Sequence, residues 1–330
     1  MRNPDFEPED DFRGWAPFGI RREPEGTVVD WCYLGSQPLR EPFFDQSVRR
    51  VRGDLESCKN RVTSLQTLER ILTLSPGLSP AGFIYHMSRC GSTLIAQMLA
   101  ANGENLVLSE PAIVQAVLGG ARDATGNGED HVSLLRHIVG ALGRRRAGGE
   151  KHYFIKLASA SIRQLPLIRR AFPETPWIFV YRDPVEVLAA ILRQAREMLP
   201  PGLAAMGLVD GDPASLEQLP PAEFWARVLA GRCSDALRFQ SSGKSLLVNY
   251  RQLPALVWES LPDFFGVSYS AEDIERMKSA ARFDAKNPSR LFAADSAARQ
   301  QAATDRIHEL AEQWIMPHYR RLEELRMSGG

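Results

Sequence analysis

The chain has 330 residues, 44% of them apolar, enough for one large domain or one domain with an appendage. Forty lysines and arginines balance forty aspartates and glutamates, which argues against a generic nucleic-acid or membrane-surface binder and still leaves room for a local basic pocket. No apolar run approaches the ~20 residues that span a bilayer, and the acidic start MRNPDFEPEDDF lacks an apolar h-region, so a cytoplasmic protein without a membrane partner is expected.

In chain order, residues 1–78 read as an N-terminal appendage. Trp15, Pro17, Pro24, Gly26, Gly35, Pro38 and Pro42 break any long period. TVVDWCYL (27–34) suggests a short strand, and the stretch 43–74 is helical in its second part. SPGLSP (75–80) marks a boundary, after which an α/β domain fills 79–330. Strands are expected at GFIYHM (82–87), NLVLS (105–109), HYFIKLA (152–158), WIFVYR (177–182) and SLLVNY (245–250). Helices are expected over 92–102, 112–118, 131–146, 161–172, 185–199 and 223–240, with a loop over 199–221 and a helical C-terminal part ending at 304–326. Strands that are apolar throughout and separated by helices predict a three-layer fold, a parallel sheet flanked by helices. Cys32, Cys58, Cys90 and Cys233 form no CxxC pair, so reduced thiols are expected rather than a zinc site or a disulfide framework.

The stretch FIYHMSRCGSTLIAQML (83–99) has the order strand, small-residue turn, helix. Gly91 permits a tight turn, and the backbone N–H groups of Gly91 to Leu94 can converge on a phosphate or sulfate, favoured by the helix dipole. The hydroxyls of Ser92 and Thr93 and the charge of Arg89 can join them. A plain helix N-cap reads the same Gly-Ser-Thr equally well. The Walker pattern does not fit: His86 stands where its first Gly belongs and Ser92 where its lysine belongs. SGKS (242–245) precedes a strand, and Arg238 replaces its first Gly.

Arg89-Cys90-Gly91-Ser92-Thr93-Leu94 resembles the 5′-phosphosulfate loop of sulfotransferases. WIFVYRDPVEVLAAIL (177–192) resembles that family's strand-R-[DN]-P-x-[DE]-V-helix segment, and LLVNYRQLP (246–254) its strand ending in Y-E-D-L. The three matches fall in the family's order over residues 80–270 or so. The resemblance implies a P-loop-type α/β fold and 3′-phosphoadenosine 5′-phosphosulfate (PAPS) as donor, with no metal. It also implies Arg89, Cys90, Gly91, Ser92, Thr93 and Leu94 around the 5′-phosphosulfate and Arg182 at the 3′-phosphate. Arg182 in a salt bridge with Asp183 or Glu186 is the alternative. Where many members have a serine eight residues after that arginine, this chain has Ala190. Arg193, one helical turn further on, is either a substitute or an exposed helix residue.

In the cytosolic branch of the family a Lys-Thr-His strand end supplies the base. Here Lys156 matches the lysine and Ala158 takes the histidine's place. In the tyrosylprotein branch the base is a glutamate about twenty residues past the loop arginine. Glu110 lies twenty-one residues after Arg89, at the exit of NLVLS, where ligands of open α/β sheets bind. Glu110 is therefore the expected general base, a role a carboxylate can fill if partial burial raises its pKa towards the operating pH. Its alternative is an N-cap acid for the helix from Ala112, and the alternative base is His86. Lys156 is expected to stabilise the leaving phosphate, or else to snorkel. By the resemblance Lys286, Ser289 and Arg290, in DAKNPSRLFAADS (284–296), are the candidates to reach the nucleotide's bisphosphate, and a plain connecting loop is the alternative.

Acceptor recognition is assigned to the N-terminal segment and the 199–221 loop. Trp15, Phe18, Trp31, Tyr33, Phe43 and Phe44 either line an acceptor slot or form a small core. The run RRR (144–146) reads as a solvated helix end or as a patch for an acidic acceptor. The activity expected is sulfuryl transfer from PAPS to a small-molecule or peptide acceptor. The rivals are a P-loop phosphotransferase and a nucleotide-binding protein without chemistry.

Overall fold

In the N-terminal segment alternating apolar residues build an antiparallel sheet of three strands in the order β1-β2-β3. These are β1 (Trp15–Glu23), β2 (Gly26–Tyr33) and β3 (Asn60–Ser64). Helix α1 (Phe44–Gly53) precedes β3, and α2 (Leu65–Leu74) follows it, capped by the Ser64 hydroxyl. The structure, a computed structural model, describes residues 12–36, 38–53, 59–123, 129–194, 199 and 202–328. The acidic start, Cys58 and positions 195–198 of the expected 185–199 helix lie outside the described residues.

After residue 79 strands and helices alternate as the sequence predicts. They are β4 (Pro80–His86), α3 (Ser92–Ala100), β5 (Asn105–Ser109), α4 (Ala112–Asp123), α5 (Glu129–Leu142), β6 (His152–Lys156), α6 (Leu165–Ala171), β7 (Trp177–Tyr181) and α7 (Pro184–Leu192). A short α8 (Pro213–Glu217) precedes the long α9 (Pro221–Phe239) and β8 (Ser245–Asn249). Then come α10 (Leu256–Glu259), α11 (Leu261–Phe265), α12 (Ala271–Ala280), a small hairpin of β9 (Phe283–Asp284) and β10 (Asn287–Leu291), α13 (Ser296–Gln301), α14 (Asp305–Leu310) and α15 (Met316–Ser328). Strands β4 to β8 form a five-stranded parallel sheet in the order β5-β6-β4-β7-β8, flanked by helices. β5 and β7 are buried along their whole length, as expected of strands covered on both faces. β4, first of the five in the chain, lies in the middle of the sheet. The chain leaves it towards β5 on one side and later returns to β7 on the other. That reversal of strand order opens a crevice at the carboxyl ends of the strands.

A continuous apolar core joins both sheets: Phe12, Trp31 and Leu68 belong to the same cluster as Ile84, Phe154 and Phe179. Trp15, Trp31 and Phe44 are core residues of this cluster rather than an open slot. Between Ser75 and Pro80 the chain runs against the end of α5, and Leu78 N–H donates to the Gly143 carbonyl at 2.8 Å. A Cβ at Gly143 would lie 2.6 Å from the Leu78 carbonyl oxygen and 2.8 Å from the Tyr153 ring.

Three expectations fail for identifiable reasons. β1 and β3 escaped the sequence reading because Pro17 and Gly19 interrupt one alternation and the other is only five residues long. The 199–221 region carries α8, whose Leu216 packs with Phe224 and Val228 in a small separate cluster. The basic run is not a solvated helix end. α5 stops at Leu142, and Arg144 and Arg146 are buried. Arg144 donates to the Phe12 carbonyl at 2.8 Å and to the Ser75 hydroxyl at 3.3 Å, tying the N-terminal segment to the main sheet.

Candidate active site

The loop between β4 and α3 is held in an uncommon backbone conformation. Ser88 (φ +94°), Arg89 (φ +50°) and Gly91 (φ +92°) have positive φ. The first two carry side chains, for which this region is disfavoured. Among the described residues the one other non-glycine with positive φ is Glu110 (φ +52°). All three of these strained side-chain-bearing positions line the same cavity. The Cys90 thiol anchors the loop from below, donating to the Val180 carbonyl at 3.0 Å. Gly91 stands at the N-cap of α3 and has no side chain with which to cap the first-turn amides. Leu94 N–H is the exception among the expected four, since it bonds to the Gly91 carbonyl at 2.9 Å. Gly91 also packs closely: a Cβ there would stand 2.7 Å from the Tyr250 ring and 2.9 Å from Leu253.

This loop forms one wall of a solvent-open cavity of about 360 Å³ at the carboxyl ends of β4, β5 and β6. Six cations line it: Arg89, Lys156, Arg182, Arg193, Lys286 and Arg299. Three carboxylates oppose them: Glu110, Asp284 and Asp295. That surplus favours a polyanion. It also acts on its own members. Burial, together with Arg89 and Lys156, lowers the Lys286 ammonium to about 8. Burial, with Arg299 and Arg193, lowers Arg89 as well. The Arg89 Nε is buried and has no partner.

Glu110 sits where β5 ends. Its backbone N–H donates to the Lys156 carbonyl at 2.6 Å, and its carboxylate pairs with the Lys156 ammonium, whose side chain is 1% exposed. His86 completes the group. Its Nδ1 accepts from Ser88 N–H at 3.1 Å, so a neutral ring carries its proton on Nε2. Nε2 makes no aligned hydrogen bond, and Glu110 Oε1 lies 3.4 Å from it. Burial and the nearby Lys156 lower His86 to about 4, so the ring is neutral at pH 7. For Glu110 the sequence expectation is reversed. Burial raises its pKa, but His86 and Lys156 outweigh burial and bring it down to about 2. The carboxylate is ionised throughout the physiological range. Its reading as an N-cap acid also fails, since the amide of Ala112 bonds to Asp45 Oδ1 instead, at 3.3 Å.

Arg182 lines the same cavity but is engaged already. Its Nε bonds to Glu186 at 2.6 Å, and its Nη2 reaches Asp295 Oδ1 and the Ser296 hydroxyl, both at 2.9 Å. The Tyr250 ring stacks 3.9 Å from its guanidinium carbon. Arg299 holds the other Asp295 oxygen at 2.7–2.8 Å and donates to the Arg89 carbonyl at 3.1 Å. Of the two salt-bridge partners considered for Arg182, Glu186 is the one that pairs with it. Asp183 caps α7 through the amides of Val185 and Glu186.

The cavity thus gathers Arg89 to Leu94, Glu110, Lys156, Arg182 and Lys286. It does not gather Ser289 and Arg290, which lie exposed on β10 and do not line it. β10 is exposed along its whole length, and loop composition does not reveal that. The sequence reading missed Arg299 and Asp295. Their i, i+4 spacing on a helix beside Ser296 was a usable signal. It also left Arg193 and Phe43 undecided, and both line the cavity. The Phe43 ring lies 5.1 Å from the Lys156 ammonium and 5.9 Å from that of Lys286. Among the described residues no group of three or more His, Cys, Asp or Glu side chains is placed to hold a metal ion. Nor is any described helix long and apolar enough to cross a membrane.

The sequence matches no protein-family model and no curated protein. Among solved structures the chain is similar to a sulfotransferase domain from the curacin biosynthetic pathway, at 16% identity, covering 72% of this chain and 98% of that one with a TM-score of 0.44. It is similar to a sulfotransferase from Mycobacterium avium at 13% identity, covering 74% and 78% of the two chains with a TM-score of 0.46. A sulfotransferase from Alicyclobacillus acidocaldarius matches at 15% identity, covering 76% and 96% with a TM-score of 0.45.

Proposed function

We propose that this chain is a PAPS-dependent sulfotransferase that passes a sulfuryl group to a hydroxyl or amine, with Glu110 as general base. The observation that carries the reading is one cavity in which α3 amides without a side-chain cap, Arg89 and Lys156 face a carboxylate kept ionised beside them. The residues present suit the donor. The buried Arg89 Nε lacks a partner, and the cationic surplus matches a nucleotide carrying several negative charges. Arg89 to Thr93 would hold the 5′-phosphosulfate, and Arg182 the 3′-phosphate.

The donor, when bound, supplies an activated sulfuryl group. The chain's own residues do the rest. Arg89 and Lys156 offset charge that develops on the departing phosphate, from positions fixed before reaction. Glu110 receives the proton of the attacking hydroxyl or amine. At a pKa of about 2 it is a weak base. Proton transfer therefore completes late, once bonding to sulfur has made the acceptor acidic. The arrangement favours the glutamate-base branch over the histidine-base branch. Ala158, just past the end of β6, stands where the latter has its imidazole, and His86 is spent on orienting Ser88 and facing Glu110. Phe43, brought from the N-terminal segment, forms the acceptor-side wall beside Glu110 and Lys156.

The test is a thermal-shift comparison of adenosine 3′,5′-bisphosphate with ATP and Mg²⁺. Stabilisation by the bisphosphate and none by ATP–Mg²⁺ is expected. The reverse pattern would replace this reading with a phosphotransferase, and tight bisphosphate binding without turnover on any acceptor would replace it with a binding protein.

A further inference from the structure

Asp295 stands at the N-cap position of α13 yet does not cap it: no amide of that helix bonds to its side chain. Both carboxylate oxygens turn instead to guanidinium groups that line the cavity. Oδ1 meets Arg182 Nη2 at 2.9 Å, and Oδ2 meets Arg299 at 2.7–2.8 Å. The Ser296 hydroxyl adds a third contact, at 2.9 Å from Arg182. A carboxylate clamped between two arginines beside a hydroxyl is the arrangement an incoming phosphate would require.

The two acids that hold Arg182 differ in kind. Glu186 lies one helical turn away on α7, and its side chain is 10% exposed, so it is a fixed partner. Asp295 comes from the segment joining the β9–β10 hairpin to α13, and its side chain is 37% exposed, so it can leave. Its position matters too. Arg182 and Tyr250 line both the main cavity and a neighbouring one of about 300 Å³. Asp295 lines the first and Ser296 the second. The bonds from Arg182 to these two residues therefore close the boundary between the cavities.

We propose that Asp295 is a tethered substitute for the donor's 3′-phosphate: it occupies the subsite between Arg182 and Arg299 while the site is empty, and a donor seats there by displacing it. The inference rests on the donor reading given above. A phosphate dianion brings more charge and more acceptor oxygens than the carboxylate it replaces. A hydroxyl brings neither, so a nucleotide without the 3′-phosphate leaves Asp295 in place. A free monovalent anion also fails to displace it, because the carboxylate is covalently held at high effective concentration.

Calorimetric titration of wild type and Asp295→Asn with adenosine 3′,5′-bisphosphate and with adenosine 5′-monophosphate tests this. The amide is isosteric and uncharged, so the bisphosphate should bind the variant about tenfold more tightly or better. The monophosphate should change by less than about threefold. Chloride should compete with the bisphosphate in the variant and not in wild type. Unchanged or weaker bisphosphate binding by the variant would mean that Asp295 preorganises the arginines rather than standing in for the ligand, and would overturn the inference alone. Failure of both proteins to bind the bisphosphate would overturn the donor reading together with it. A wild-type crystal grown with the bisphosphate gives an answer that does not depend on the variant folding. Separation of Arg182 from Asp295 beyond about 4 Å, the reach of an ion pair, supports the proposal, and a retained 2.9 Å pair with phosphate on Arg182 ends it.

Discussion

Glu110 is tied to Lys156 twice, through its backbone N–H to the Lys156 carbonyl at 2.6 Å and through the ion pair of their side chains. The backbone bond continues the β5–β6 register, in which Ser109 faces Lys156, one residue past the last strand position. The carboxylate is thereby set at a fixed height above the sheet, whichever ligand is bound.

Removing the charge should expose its role. Glu110→Gln is expected to lower kcat by about 10²- to 10⁴-fold. It should leave the dissociation constant of adenosine 3′,5′-bisphosphate within about threefold of wild type. Paired turnover and calorimetric measurements check this. Full turnover in the variant would remove Glu110 from the chemistry.

The buried His86 and the half-buried Glu110 should shape acid stability in adjoining windows. His86 falls from an ordinary 6.5 to about 4 through burial and Lys156, so the unfolded chain binds the extra proton. Stability should drop as pH falls from about 6.5 to about 4. Glu110, brought from 4.5 to about 2 because His86 and Lys156 outweigh burial, contributes stability that is lost between about 4.5 and 2. Melting temperatures across pH for wild type, His86→Asn and Glu110→Gln should show the upper limb flattened in the first variant and the lower limb flattened in the second.

Gly91→Ala introduces a side chain at φ +92° and within 2.7 Å of the Tyr250 ring. A loss of about 1–3 kcal/mol in denaturant stability is expected, along with loss of bisphosphate binding. A co-substitution Tyr250→Ala should recover part of the stability, because it removes the closer of two clashes and leaves the one with Leu253, at 2.9 Å, and the backbone cost.

Phe43→Ala should raise KM for the acceptor and leave bisphosphate affinity within about threefold, since Phe43 lines the cavity beside Lys156 and Lys286 and carries no polar group to a phosphate. Equal weakening of donor and acceptor would place the ring elsewhere in the reaction.

What the sequence made legible was local. The loop of Arg89 to Leu94, the strand end at Glu110 and the Arg182 segment each lie within a single strand–loop–helix unit, so their neighbours in sequence report their placement. Asp295, Arg299 and Phe43 arrive from distant segments: the i, i+4 spacing of the first two marks them as a pair, but not the cavity they meet. The charge state of Glu110 was misread for the same reason. Burial alone raises a carboxylate, and the two groups that reverse the effect sit on β4 and β6. Arg144 was misread because a basic run looks solvated until the Phe12 carbonyl and Ser75 hydroxyl fold over it.

The contact of residues 75–80 with the end of α5 makes the join between the two sheets a weld and not a swivel. At Gly77 and Gly143 main chain meets main chain with no space for a methyl group. Phe43, which reaches the cavity from the N-terminal segment, thus starts from a segment already fixed to the main sheet. A single carbon added at either glycine would force this join apart while touching no residue that lines the cavity.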